Sequence, residues 1–454
     1  MSNLLSRILS GQDRVLMLTN QQSIHVNTFK VRASIAGTDR FAGKNVMIAT
    51  REPLACAMAL IECDGLAKRI VICPPDISVE HLQSIAKTAD IDFMMTDQMP
   101  DASAERAPGP ELVQVETLAY PRDHAVLDQE TEWVLLTSGT TGVPKMVSHS
   151  LDSLTSNIKR PKSNTERVIW ASFNDARRFS GLQMFLQAVI TEACLVLRNY
   201  DMSVADFLPG LVAAGATHVS GTPTHWRKVL MYPQRELLHF QQITVVGEIA
   251  EQPLLDLLHE AFPQANITHI YGSTESGTGF SVHDKLAGFP AGLLGKVHSG
   301  AEFKVEDGRL KVRSVRSAKH YIGSLLTLKN DDGFIDTGDV VQLVGERYMF
   351  LGRGSGAINV GGSQVLPEEV EAVLNDCPSV MVSRVKARKS VFTSSILVAE
   401  VVAVPRLDMS REELNALLLQ KCRNALPPYK VPAIIKFVDD IAINASGKLE
   451  RSGA

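Results

Sequence analysis

Hydroxyl groups, glycines and a lysine crowd into one nine-residue stretch of the sequence. The stretch consists of Thr137, Ser138, Gly139, Thr140, Thr141, Gly142, Val143, Pro144 and Lys145. Glycine lets backbone N–H groups approach an anion closely, the hydroxyls add donors, and Lys145 supplies a compact positive charge. The ordinary G-x-x-x-x-G-K-[ST] loop is absent, because no Lys-Ser or Lys-Thr pair follows the second glycine at that spacing. The residue types predict a loop that binds anionic oxygens.

Four more segments with polar side chains follow this loop along the chain. They are Tyr271-Gly272-Ser273-Thr274-Glu275, then Asp336-Thr337-Gly338-Asp339 with Arg353 after it, then Ile358–Gly362 leading into Pro367–Glu371, and last Asn444–Arg451. In order and spacing, the five segments resemble the motifs of the adenylate-forming enzymes, a family of acyl-CoA synthetases, luciferases and peptide-synthetase adenylation domains. The resemblance runs from about Asn45 to the C-terminus.

The resemblance implies a role for individual residues. It assigns catalysis to Lys448, to Thr274 at the α-phosphate and to Glu275. It assigns Mg²⁺ to Glu275 and Thr137, whose oxygen atoms are the ligands that this ion prefers. It assigns nucleotide binding to Thr137, Ser138, Gly139, Thr140, Thr141, Gly142, Lys145, Gly247, Glu248, Tyr271, Gly272, Ser273, Asp339 and Arg353, with Asp339 on the ribose hydroxyls. At Glu248, relatives more often carry glycine.

Two domains are also implied by the resemblance. Residues 1–352 form the N-terminal domain with the ATP and acyl pockets, and residues 353–454 form a mobile C-terminal domain that carries Lys448. Glycines cluster at the boundary, where they tolerate unusual backbone angles. The hinge maps to Ser355, a position at which relatives usually carry aspartate.

The segment that lines the acyl pocket in relatives departs from their pattern here. The implied pocket residues are Arg178, Gly181, His225, Trp226 and Gly277. Relatives usually have an aromatic residue or His where this chain has Arg178. Arg178 either binds a second polar or anionic group on the substrate, as guanidinium does well, or forms a surface ion pair with Asp175. His225 and Trp226 either contact the substrate or belong to the packed interior.

Short apolar runs alternate with helical patterns along most of the chain, which predicts the α/β class. Strands are predicted at 45–50, 69–73 and 133–136, with a helix at 53–66. The same reading places the nine-residue stretch in a strand-to-helix loop, because apolar residues at helical spacing begin at Leu151. We expect a large N-terminal domain of parallel and mixed sheets with flanking helices, followed by a small α+β domain.

Composition excludes several classes of protein. The 454 residues include 46 Lys and Arg against 50 Asp and Glu, a net charge of -4. This near-balance argues against nucleic acid as the main partner. No apolar run approaches the ~20 residues that span a bilayer, and no signal-peptide core is present, so we expect a cytoplasmic protein without a membrane span.

The expected activity is an ATP-dependent carboxylate–CoA ligase that uses ATP, Mg²⁺ and coenzyme A on a fatty or aromatic acid. One alternative is an enzyme that loads the acyl group onto the phosphopantetheine of a carrier protein. A third is a nucleotide-binding homologue that has lost the reaction. The sequence leaves open the acid itself and the choice between monomer and homodimer.

Overall fold

A computed structural model describes residues 3–100, 109–122, 129–137, 144–159, 167–390, 394–404, 409–444 and 447–450. The helices are α1 (Leu4–Ser10), α2 (Val26–Val31), α3 (Pro53–Cys63), α4 (Val79–Thr88), α5 (Leu151–Thr155), α6 (Phe179–Ile190), α7 (Val204–Ala214), α8 (Pro223–Leu230), α9 (Gln252–Ala261), α10 (Pro367–Asn375) and α11 (Arg411–Ala425). Within the described ranges, no helix is both long enough and apolar enough to cross a membrane.

The strands up to residue 282 are β1 (Val15–Leu18), β2 (Ser23–His25), β3 (Arg32–Ala33), β4 (Asn45–Ile48), β5 (Arg69–Ile72), β6 (Phe93–Thr96), β7 (Glu111–Gln114), β8 (Tyr120–Pro121), β9 (Glu132–Thr137), β10 (Lys145–Ser150), β11 (Ile169–Ser172), β12 (Cys194–Val196), β13 (His218–Gly221), β14 (Gln242–Val246), β15 (Asn266–Ser273) and β16 (Gly277–Val282). The later strands are β17 (Phe289–Pro290), β18 (Val297–His298), β19 (Ala301–Glu306), β20 (Arg309–Ser314), β21 (Tyr321–Ile322), β22 (Ile335–Val344), β23 (Arg347–Arg353), β24 (Ile358–Val360), β25 (Ser363–Val365), β26 (Val380–Ser390), β27 (Ser394–Ala403) and β28 (Ile434–Phe437).

Two mainly parallel sheets face each other across a layer of helices. One has the strand order β21-β10-β9-β5-β4-β6-β7 and the other β16-β15-β14-β13-β11-β12-β1-β2. A single hydrophobic cluster joins them, with Ile48 and Ile70 from the first sheet and Leu195 from the second packed around α3 and α6. Helix α3 is buried along its whole length, as expected for a helix that is apolar on every side. The predicted α/β class is confirmed.

The nine-residue stretch was placed wrongly by its sequence pattern. Lys145 begins strand β10, which pairs antiparallel with β9 and sets Lys145 opposite Thr137. Met146 and Val147 are buried in the sheet, so the nine-residue stretch ends in a strand paired with the one that contains its first residue, and the helix begins only after β10. Strand pairing and burial outweigh the helical spacing that Leu151 begins.

An antiparallel sheet follows, with the order β17-β23-β22-β20-β19-β18. Its core contains Phe280, Phe289 and Phe303. The C-terminal part has a separate core, in which α10 and α11 pack on the β26-β27-β28 sheet through Leu374, Leu418 and Ala399. A short 3₁₀ turn at Gly354–Gly356 joins the two parts. The expected small α+β unit after the larger region is therefore present.

Candidate active site

The ends of β15 and β23 meet the middle of β22 around the carboxylate of Asp339. Tyr271 Oη donates to Asp339 Oδ2 at 2.6 Å, and Arg353 Nε donates to Asp339 Oδ1 at 3.0 Å. Strand pairing sets Asp339 opposite Arg353, and the Tyr271 ring is stacked between Phe280 and Phe350, each with its centroid 5.1 Å away. We call Tyr271, Asp339 and Arg353 the ribose wall, after the role that the resemblance implies for Asp339.

The tyrosine of the ribose wall remains a hydrogen-bond donor. Burial, reinforced by the charge of Asp339, raises the pKa of Tyr271 well above its ordinary value. Each Asp339 oxygen receives one hydrogen bond from the protein and, with two lone pairs, retains capacity for one more. A pair of neighbouring hydroxyl groups on a ligand matches this arrangement.

The turn between β15 and β16 carries Thr274 and Glu275, and its backbone is held from two sides. The His149 ring, through Nε2, lies 2.7 Å from the Thr274 carbonyl oxygen, and Ala318 N donates to the Glu275 carbonyl oxygen at 2.9 Å. Ser273 Oγ accepts from Ser276 N within the turn. Because the main chain is bonded to its surroundings, both functional side chains project from a fixed backbone.

Lys448 reaches this region from the C-terminal part of the chain. Its turn is closed by Asn444 N, which donates to the Lys448 carbonyl oxygen at 2.8 Å. Thr222 Oγ1 donates to the Gly447 carbonyl oxygen at 2.6 Å, and Leu449 N donates to Glu248 Oε1 at 3.0 Å. The turn is therefore attached to the N-terminal part through main-chain atoms on both sides of Lys448.

Glycines allow the lysine turn to approach so closely. A β-carbon on Gly447 would lie 2.1 Å from Cε1 of His225, and Gly447 has a φ of +74°. A β-carbon on Gly247 would lie 3.5 Å from Cε of Lys448. The lysine stem thus passes over the exposed backbone of Gly247.

The charges around Lys448 come from both parts of the chain. Burial, and then the positive charge of Arg353, lower the pKa of Lys448. The carboxylates of Glu248, Asp339 and Glu275 act in the opposite direction. The structure therefore gathers the predicted catalytic lysine, the predicted Mg²⁺ ligand and the ribose wall in one cleft.

Other sequence-predicted nucleotide residues are placed unequally. Ser138, Gly139, Thr140, Thr141 and Gly142 lie outside the described residues, whereas Thr137 and Lys145 hold the two ends of their hairpin. Glu248 uses its carboxylate within the protein, since Oε2 accepts from Thr224 N at 3.1 Å and from Thr224 Oγ1 at 2.7 Å. Gly247 and Gly272 are both exposed at the cleft.

The arginine expectation requires a correction. Arg178 does not pair with Asp175; its Nη2 donates to both carboxylate oxygens of Asp76 at 2.6 Å. Arg177 takes Asp175 instead, and its guanidinium also binds the carbonyl oxygens of Thr50 and Arg51. Arg177 is completely buried, so adjacent arginines point to different sides of the chain where helix α6 begins.

Three other predicted pocket residues have packing roles. Trp226 is fully buried and donates through Nε1 to the Thr244 carbonyl oxygen at 3.0 Å. A β-carbon on Gly181 would lie 2.1 Å from the Asp175 carbonyl oxygen, and one on Gly277 would lie 2.3 Å from that of Arg316. These two glycines are needed because other backbone segments approach them closely.

His225 is the predicted pocket residue that does border a cavity. Its ring stacks on Phe173, with centroids 5.4 Å apart, and lies against Gly447. Burial lowers the pKa of His225 to about 3. The ring is therefore neutral near pH 7.

The donor set suits a Mg²⁺ ion that shares its ligands with phosphates. Within the described part of the chain, no group of three His, Cys, Asp or Glu side chains is arranged to hold a metal ion. Mg²⁺ in phosphate-transfer sites is usually bound by one or two carboxylates together with substrate phosphates and waters. The carboxylate of Glu275, together with the hydroxyl of Thr137 at the start of the nine-residue stretch, fits that pattern.

Sequence reasoning missed several residues that build the site. They are His149, which fixes the Thr274 segment, and Asn174 and Arg198, which line the cavity beside His225. A signal was available for Asn174 and Arg198. Each comes shortly after an apolar run that forms a parallel strand, β11 or β12, and ligands bind outside the carboxyl ends of such strands.

Comparison with known proteins agrees with this geometry. The model of the AMP-binding enzyme family matches residues 42–317, and the model of the AMP-binding enzyme C-terminal domain matches residues 369–448. The chain belongs to the AMP-binding enzyme family. The family inferred from the motifs is thereby confirmed.

Relatives of this AMP-binding enzyme include several ligases. The 2-succinylbenzoate–CoA ligase of Bacillus velezensis is 27% identical over 416 residues, covering 86% of this chain and 78% of that protein. The 4-hydroxybutyrate–CoA ligase 1 of Metallosphaera sedula is 27% identical over 348 residues, covering 69% of this chain and 60% of that protein.

Solved structures share the fold of this AMP-binding enzyme. The o-succinylbenzoate CoA synthetase of Bacillus subtilis, in complex with an acyl-adenylate intermediate, superposes with a TM-score of 0.72 at 22% identity, covering 99% of this chain and 97% of that one. ATP-bound MatB of Rhodopseudomonas palustris gives a TM-score of 0.78 at 19% identity, covering 99% and 97%.

Proposed function

We propose that this AMP-binding enzyme is an ATP-dependent carboxylic acid–CoA ligase. In the first step the acid and ATP give an acyl-adenylate and pyrophosphate. In the second step CoA displaces AMP and yields the thioester. The CoA ligases among its relatives support this reaction class, and we propose that it acts in the cytoplasm.

One observation carries the proposal: Lys448 lies in the same cleft as Glu275, Asp339 and Arg353. In adenylation, a carboxylate oxygen forms a bond to the α-phosphorus while the bond from that phosphorus to the pyrophosphate oxygen breaks. Two anions approach each other, so catalysis depends on positioning and on positive charge. Lys145 from the N-terminal part of the chain and Lys448 from the C-terminal part supply that charge.

The other residues have separate tasks in this scheme. Asp339 binds the ribose hydroxyls, Thr274 binds the α-phosphate, and the loop from Thr137 to Gly142 binds the remaining phosphates. A Mg²⁺ ion would be held by Glu275, Thr137 and the ATP phosphates, and it would supply further positive charge. The fixed backbone of Thr274 and Glu275 supports their roles, because preorganised groups need no rearrangement during reaction.

The second step needs a different arrangement of the same cleft. The thiol sulfur forms a bond to the acyl carbon, the bond from that carbon to the AMP oxygen breaks, and the thiol proton passes to solvent. The turn with Lys448 has to leave for a thiol to enter, so the C-terminal domain, residues 353–454, rotates about Ser355. The separate core of that region supports this division.

The test is pyrophosphate release with ATP and Mg²⁺ across fatty, aromatic and dicarboxylic acids, each with and without CoA. We expect acid-dependent release, with a CoA thioester detected by mass spectrometry only when CoA is present. Release without a thioester would indicate a carrier protein as the acceptor. ATP binding without release for any acid would contradict the ligase and favour a homologue that only binds nucleotide.

A further inference from the structure

A cavity lies beside the lysine turn, at the carboxyl ends of β11, β12 and β13. Its volume is about 400 Å³, and its walls include Asn174, Arg198, His225 and Gly447. This is within the usual range of small-molecule sites, ~300–1,000 Å³. Because Gly447 directly precedes Lys448, an acid whose reacting carboxylate meets the lysine has this space next to it.

Asn174 is the first wall residue with unused hydrogen-bonding capacity. It is 7% exposed, and neither its side-chain oxygen nor its side-chain nitrogen has a hydrogen-bond partner within the described residues. A buried carboxamide without partners is costly. Its sequence position, just after β11, puts this amide at the edge of the sheet where ligands bind.

Arg198 is the second such residue, because its charge has no counter-ion. Its Nε and Nη1 donate to the carbonyl oxygens of Met202 and Phe173 at 3.0 and 2.5 Å, and no carboxylate pairs with it in the described parts of the chain. Burial lowers the pKa of Arg198. A guanidinium remains charged even so.

Every other charged group in the cavity wall already has a partner. Asp175 is paired with Arg177, Asp201 with Arg51, and Lys228 with Asp440. His225 stays neutral because burial lowers its pKa to about 3. Among the described wall residues, Arg198 is therefore the charged group without an ion pair, although the charge of Asp175 also acts on it.

We propose that Arg198 and Asn174 bind a second carboxylate on the acid substrate, so that the enzyme adenylates dicarboxylic acids in preference to monocarboxylic acids. The inference rests on the proposed ligase function and names its substrate class. Guanidinium binds carboxylate with charge-assisted hydrogen bonds, and the Asn174 amide nitrogen adds a donor. A simple fatty acid would instead leave the Asn174 amide without a hydrogen-bond partner and Arg198 without an ion pair.

The experiment compares acids that differ only in the second carboxylate. Pyrophosphate release is measured with glutarate against pentanoate, adipate against hexanoate and isophthalate against benzoate. For the wild-type enzyme we expect kcat/KM to be about 10- to 100-fold higher for the preferred dicarboxylate than for its monocarboxylate partner, the usual worth of a hydrogen bond to a charged group.

Two variants locate the effect. Arg198→Met should remove the preference, mainly by raising KM for the dicarboxylate, so that the ratio of kcat/KM between the two acids of a pair approaches 1. Asn174→Asp keeps the size of the side chain but adds a negative charge, so it should also discriminate against the dicarboxylate. Arg235→Met, at an exposed position, is the matched control and should retain the preference.

The outcomes separate the two levels of inference. Monocarboxylate turnover in each variant shows that the variant is folded. If the wild type and Arg198→Met turn over both members of every pair in the same ratio, the carboxylate subsite is wrong and the ligase stands. If no acid releases pyrophosphate from the wild type, the ligase itself is wrong and the subsite falls with it.

Discussion

The ribose wall and the cavity beside the lysine turn treat their polar groups in opposite ways. At the ribose wall, Asp339 already holds hydrogen bonds from Tyr271 and Arg353. In the cavity, the Asn174 amide has no partner and Arg198 has no counter-ion among the described residues. The first region is arranged before its ligand arrives, whereas the second is complete only with the ligand present.

The difference suits what each region has to recognise. Every turnover uses the same nucleotide, so binding groups held rigidly by the protein cost no rearrangement. Selection among acids benefits from unpaired groups, because a site that expects a polar partner rejects an analogue lacking it. Burying an amide without hydrogen-bond partners and a guanidinium without an ion pair is unfavourable, and this cost is offset only when the matching acid binds.

The largest expected effect comes from removing the ammonium group of Lys448, which lies beside both regions. Lys448→Ala should lower the rate of acyl-adenylate formation by about 10²- to 10³-fold, as loss of one preorganised electrostatic group does. ATP binding should persist, because the ribose wall does not use the lysine. Single-turnover pyrophosphate release and ATP titration test this, with exposed Lys436→Ala as the control. Adenylation at the wild-type rate would contradict the role of Lys448.

Breaking the ribose wall should affect the nucleotide alone. Asp339→Asn removes a charged acceptor, so kcat/KM for ATP should fall by about 10- to 100-fold. The KM for the acid should stay unchanged, because the cavity does not contain Asp339. Asp332→Asn, an exposed aspartate nearby in sequence, is the control. An equal rise in both KM values would mean that the two regions are not independent.

Acid should destabilise the Thr274 turn and the cavity wall through two buried histidines. Burial lowers the pKa of His149, which contacts Thr274, to about 4 and that of His225 to about 3. Below pH 6.5 the two histidines bind protons in the unfolded chain but stay neutral in the folded protein. The free energy of unfolding therefore falls as the pH decreases towards their folded pKa values. The loss at pH 5 is of order 2 kcal/mol for each histidine.

Urea unfolding at pH 7 and pH 5 measures this loss. His149→Gln keeps a donor for the Thr274 carbonyl oxygen but cannot titrate, so its stability should depend less on pH than that of the wild type. His81→Gln, at a partly exposed position on α4, is the control. Identical losses for wild type and His149→Gln would exclude His149 as the cause.

The smallest effect concerns the support of the ribose wall. Tyr271→Phe removes one hydrogen bond to Asp339 while keeping the ring stack, so KM for ATP should rise by about 3- to 10-fold. The control is Tyr348→Phe, because the Tyr348 ring stacks on Phe289 in the same sheet region. This variant should leave KM for ATP unchanged. A Tyr271→Phe effect as large as that of Asp339→Asn would show that the tyrosine contacts the nucleotide itself.

The sequence predicted the motifs better than the contacts among them. The order of five segments was sufficient for the family, and the apolar runs at 45–50, 69–73 and 133–136 correctly marked three strands of one sheet. The position of Lys145 was predicted wrongly because the strand that contains the apolar residues Met146 and Val147 was assigned to the loop before the next helix. Strand pairing with β9 is a long-range interaction that local spacing does not contain.

Side-chain direction was the other limit of the sequence. The adjacent arginines Arg177 and Arg178 offered the same chemistry, yet one is buried with Asp175 and the other pairs with Asp76. Asp76 is about 100 positions away in the chain, so no local pattern reveals it. Asn174 and Arg198 were missed for the same reason, because they come together only at the edge of the folded sheet.

The turn that carries Lys448 is held by backbone atoms and not by the lysine side chain. Thr222 binds the carbonyl oxygen before it, and Glu248 binds the N–H group after it. The conformation of the main chain at this position therefore does not depend on which side chain residue 448 carries. A cysteine introduced at position 448 would occupy the same place, and alkylation to aminoethylcysteine would return an ammonium group to the cleft by chemical means.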